Sequence, residues 1–132
     1  MSLTIRILGL DPGLSAMGWG VIDVAGSRLA HVAHGVIATK PSAGLGLRLM
    51  TLHRELSAVI QSHAPAAIAV EQAFVARDPS AALKLGHARA MALLAGAALD
   101  GGWCAAVGMP ELGVAAAAGM GVDPARLVLV DE

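Results

Sequence analysis

A chain of 132 residues is long enough to bury a real core and short enough to expect one domain over 1–132. Nine Lys and Arg against ten Asp and Glu leave a formal net charge of −1. That excludes the strongly basic nucleic-acid binders, so any phosphate-binding surface must be a local patch. The hydrophobic fraction is 56%, but Ala, Gly and Val supply much of it and no uninterrupted apolar run is long enough for a membrane helix.

The opening residues Met1–Arg6 lead straight into a strand without the three-part layout of a signal peptide, so the chain reads as soluble and cytoplasmic. Residues 4–10 are continuously apolar, the pattern of a strand covered on both faces. A second strand is predicted over Met17–Val24 and a third over Arg28–Thr39, making an antiparallel meander. A helix follows from about Leu45 to His63. Leu45, Leu49, Leu52, Leu56, Val59 and Ile60 form its apolar face, while Arg48, Arg54, Glu55 and Gln61 are assigned to the other. Ala64-Pro65 ends it. Residues 66–71 form a fourth strand, expected to pair in parallel with an earlier one after this crossover. Asp78-Pro79 caps a helix over Ser80–Leu99, where Gly86 and Ala90 form a small-residue stripe suited to close helix approach. Beyond Gly101-Gly102 the pattern is a strand over Trp103–Val107, an Ala-rich helix over Glu111–Met120 and a strand over Leu127–Val130. The single cysteine, Cys104, forms no intrachain disulfide or metal cluster and reads as a small core residue. The fold class is α/β, with a mixed sheet built from the meander and βαβ units.

Two acids stand out by position. Asp11 closes the run Ile7-Leu8-Gly9-Leu10-Asp11-Pro12-Gly13, and Glu71 closes Ile68-Ala69-Val70-Glu71. Alone, Asp11-Pro12-Gly13 is either turn punctuation or a carboxylate presented to a divalent cation. If the first and fourth strands are neighbours, both acids emerge at one end of the sheet. Carboxylates clustered in this way serve two-metal phosphodiester hydrolysis. Three antiparallel strands, a helix, a parallel strand and a helix is the pattern of a ribonuclease H-like fold.

Residues 5 to about 99 resemble RuvC, the bacterial Holliday-junction resolvase family. The matching segments are Ile7–Gly13, Gly18-Trp19-Gly20-Val21-Ile22, Ile68-Ala69-Val70-Glu71-Gln72 with Phe74, and Ala81–Arg89. The resemblance implies an Mg²⁺-dependent endonuclease acting on branched DNA in recombination and repair. It implies Asp11 and Glu71 as catalytic metal ligands and Phe74 as a ring stacking on bases at the junction centre, an interaction worth about 1–3 kcal/mol per base. It also implies a homodimer cutting two strands symmetrically, with Lys84 and Arg89 as DNA-contacting cations and a branch-migration helicase as a further partner. His87 stands where the family more often has an amide and is read as structural. Gln72 is read as orienting its neighbours.

The resemblance ends near Asp100. A RuvC chain continues with a helix bearing two further acidic ligands. The acids of 101–132 are Glu111, Asp123, Asp131 and Glu132, and no pair of them has the required helical spacing. Two divalent cations bring four positive charges and two carboxylates offset half of them. The alternative reading is therefore a truncated, frameshifted or chimeric protein, catalytically incomplete, that dimerises or binds DNA weakly. The divergent segment 101–132 faintly resembles a RecA-like core piece, without a phosphate loop. An actin- or hexokinase-like ATPase, whose fold also opens on an Asp-x-Gly turn, is disfavoured by the stretch from Glu71 to Arg89 and by the absence of a later adenosine-binding glycine motif.

Overall fold

The computed structural model describes residues 3–71, 78–97, 103–107 and 124–130. Strands β1 (Thr4–Asp11), β2 (Ala16–Ala25) and β3 (Arg28–Ala38) form the antiparallel meander. Helix α1 (Leu45–His63) crosses to β4 (Ala67–Glu71), which pairs in parallel with β1. Helix α2 (Pro79–Ala97) crosses to β5 (Trp103–Val107), and β6 (Leu127–Val130) adds a further parallel strand after a 3₁₀ turn at Pro124–Arg126. The order across one six-stranded sheet is β3-β2-β1-β4-β5-β6. The predicted helix over 111–120, the side chain of Cys104, and the residues Gln72, Phe74, Glu111, Asp123, Asp131 and Glu132 lie outside what is described.

The core forms where strand alternation meets helical periodicity. Leu8 and Leu10 of β1, Met17 and Val21 of β2, and Ile68 and Val70 of β4 pack against Leu52 and Leu56 of α1 and Ala88, Ala92 and Ala95 of α2. Both helices therefore cover the same face of the sheet. Among the described residues the opposite face is open, with Ile5 41%, Leu29 70% and Val36 67% exposed. The apolar run of β1 does not show two covered faces here, because its odd-numbered positions look away from the helices. The small residues of α2 divide between surface and core. Gly86 is exposed with open space where a Cβ would stand, whereas Ala88, Ala92, Leu93 and Ala95 are buried.

Local devices hold the ends. Asp78 caps α2 through its Oδ1, which accepts from the Ser80 N–H at 3.0 Å. Helix α1 stops one residue earlier than its proline, at Ala64, which adopts a left-handed φ of 47° and donates its N–H to Ile60 O at 2.8 Å. Arg6 of β1 grips Asp23 of β2 with two bonds of 2.8 and 3.0 Å and donates a third, 3.1 Å long, to His63 O at the end of α1. That fork joins two strands to a helix C-terminus, where a cation suits the carbonyl dipoles. On β3, a bulge beside Val21/Ile22 leaves Val32 as the extra residue. His31 and His34 thereby come together, with ring nitrogens 2.8 Å apart.

Candidate functional site

The site begins with the register of β1 against β4. Leu10 is level with Val70, so the next residues, Asp11 and Glu71, stand side by side in adjacent parallel strands, about 4.8 Å apart across the sheet. Both are exposed. Both line one open cavity of about 510 Å³ with Gly9, Gly18, Trp19, Gly20 and Ala69. The floor is small for a geometric reason: Gly18 is the cross-strand partner of Asp11 and Gly20 that of Gly9. A phosphate group can approach the sheet here without meeting a bulky side chain.

The turn after Asp11 is held as tightly. A Cβ on Gly13 would collide with the backbone carbonyl of Ala16, so only glycine fits. Trp19 lies over Gly35 of the neighbouring strand, where a Cβ would come within 2.7 Å of the ring, and its ring centroid is 5.7 Å from that of His63.

Two oxygen-donor carboxylates at the carboxyl ends of neighbouring parallel strands suit a hard divalent cation such as Mg²⁺, which takes one or two protein carboxylates and fills its remaining positions with water and phosphate oxygens. Among the described residues no group of three or more His, Cys, Asp or Glu forms a larger ligand set.

The structure separates the other candidates. Lys84 is exposed on α2 and lines a second cavity with Gly13, Ser15 and Arg48. Arg89 is half-buried and lines neither cavity. Phe74 lies outside the described residues. Arg48 corrects the sequence expectation: assigned to the solvent face of α1, it is buried, with 8% of its surface exposed. The signal was present in the spacing, because Arg48, Leu52 and Leu56 recur every four residues along one stripe. Its charge, not its position, argued for solvent.

A mixed sheet in this order, with helices on its covered face and a carboxylate pair at the ends of β1 and β4, defines a ribonuclease H-like protein. The chain belongs to the family described as crossover junction endodeoxyribonuclease RuvC, which residues 7–103 match. It is 57% identical over 97 residues to the crossover junction endodeoxyribonuclease RuvC of Parvibaculum lavamentivorans, covering 74% of this chain and 55% of that protein. With the Xanthobacter autotrophicus relative it shares 59% over 91 residues, covering 69% and 54%. The solved structure of T. thermophilus RuvC in complex with Holliday junction substrate superposes with a TM-score of 0.70 at 27% identity, over 77% of this chain and 63% of that one. The chain thus spans about half the length of the curated relatives it matches.

Proposed function

We propose that this chain carries the Asp11–Glu71 centre of an Mg²⁺-dependent endonuclease that hydrolyses phosphodiesters at four-way DNA junctions. The observation that supports it is the placement of these two acids, level with one another on paired strands, over a glycine floor in a chain of the RuvC family. Asp11 and Glu71 would hold the cation, which supplies a counter-charge for the phosphate oxygens and lowers the pKa of a bound water. The chain's own part is to fix both carboxylates on rigid strand ends and to leave the pocket open above Gly9, Gly18 and Gly20. In the net reaction a water oxygen joins the phosphorus and the ester oxygen leaves as a hydroxyl. Phe74, Lys84 and Arg89 are assigned to DNA contact, a homodimer to symmetric cutting of two strands, a branch-migration helicase to partnership, and the cytoplasm to location. Among the described residues no helix is long and apolar enough to cross a membrane.

A second reading is a catalytically incomplete protein that dimerises or binds DNA weakly; it rests on Asp11 and Glu71 being the two acids that the family-like segments place at strand ends. Cleavage of a synthetic four-way junction with Mg²⁺ separates the two. Cleavage by the wild type and its loss in Asp11→Asn, by at least about a hundredfold as expected for removing a group that stabilises transition-state charge, supports the endonuclease. No cleavage by either at micromolar protein rejects it in favour of the second reading.

A further inference from the structure

On the other side of the Pro12–Ala16 turn from the carboxylate pair lies a cavity of about 570 Å³, bordered by Gly13, Ser15, Pro41, Arg48, Lys84 and Leu85. Arg48 donates from Nε to Thr39 Oγ1 at 3.0 Å and from Nη2 to Ser15 Oγ at 3.0 Å. Thr39 Oγ1 donates onward to the Leu14 carbonyl at 2.5 Å. Every partner along this chain of bonds is neutral, and among the described residues no acid pairs with Arg48. A guanidinium withdrawn from water without a counter-charge is costly, and an oxyanion in the adjoining space offsets that cost. The planar fork of arginine matches two phosphate oxygens, and Lys84 adds a second cation from α2. Tying the turn before β2, the loop after β3 and α1 together accounts for the two hydroxyl bonds. It does not account for an uncompensated charge opening on a cavity that holds another cation.

We propose that this cavity is a phosphate subsite, formed by Arg48, Lys84 and Ser15, that takes a phosphodiester of the DNA backbone next to the one facing Asp11 and Glu71. The DNA part of this assignment rests on the endonuclease reading. The anion part stands on Arg48 and on the cavity it borders with Lys84.

The test titrates the full chain with a fluorescently labelled four-way junction in EDTA over a range of salt concentrations. Lys84→Gln changes an exposed side chain, so its thermal midpoint stays at the wild-type value. Its affinity falls about three- to tenfold, and the slope of log K against log salt drops by about one. Arg48→Lys keeps the charge, loses the fork and weakens binding in the same direction. Inorganic phosphate is the second probe: it shifts the NMR signals of the Arg48 Nε–H and the Ser15 amide in the wild type, and these shifts weaken in Lys84→Gln. Wild-type affinity and salt slope in both variants overturn the proposal, as does a wild-type chain that binds no junction. Shifts with inorganic phosphate but unchanged junction binding also overturn it, and mark a site for free phosphate. Weakened junction binding in Lys84→Gln beside a wild type that fails to cleave supports the subsite while rejecting the endonuclease.

Discussion

Arg6 and Asp23 show how much a single pair can carry at the residue scale. The Arg6 hydrogen bonds hold the Asp23 carboxyl below its ordinary range, while partial burial opposes them. As pH falls, the unfolded chain takes up a proton on this residue before the folded one does. Asp23 therefore contributes its full stability above the ordinary carboxylate value of ~4 and loses it as pH drops toward the depressed value. In Asp23→Asn that contribution is absent throughout. Urea midpoints measured from neutral pH down to about pH 3 should fall less steeply in the variant than in the wild type, and parallel curves would reject this account. The same residue scale explains Gly13, whose missing Cβ lets the turn after Asp11 close against Ala16.

At the scale of elements, α1 carries the clearest strain and the clearest surprise. Its last turn ends on Ala64 in the left-handed region, where an L side chain crowds the following carbonyl at a cost of about 1–2 kcal/mol. Ala64→Gly removes that crowding at the price of a more flexible unfolded chain, so a net gain of about 0.5–1 kcal/mol is expected in chemical denaturation. The helix itself was legible in the sequence: the span Leu45–His63 follows from its leucine spacing and the proline beyond it. The burial of Arg48 was not. Which side of a helix is covered depends on the sheet and loop packed against it, and here Thr39 and Ser15 supply hydroxyls at a position that a list of charged residues assigns to water. On α2, Gly86 of the small-residue stripe is exposed and Ala90 half-buried.

At the scale of the whole molecule, the described helices and the sheet share a compact set of large side chains. Leu8, Met17, Val21, Leu52, Leu56, Ile68 and Val70 are its largest fully buried members. Leu56 is fully buried among them, so Leu56→Ala is expected to cost about 2–5 kcal/mol, read as a lower urea midpoint with little change in slope. Because β1 and β4 hang on this core, the same substitution should loosen the Asp11–Glu71 register and reduce any cleavage beyond the loss of folded protein. Local pattern was enough for the elements: alternation and apolar runs set β1 to β4, the leucine period set α1, and the Asp78-Pro79 cap started α2. It also determined that acids end two apolar strands, and which segments carry the family's motifs. Long-range packing settles that Asp11 and Glu71, 60 positions apart, are level neighbours, and that Arg48 sits without an acid beside a cavity. Strand register is set by which apolar residues share the core, and the cost of a charge is set by what surrounds it. Both are properties of contacts between distant segments, which local pattern does not encode.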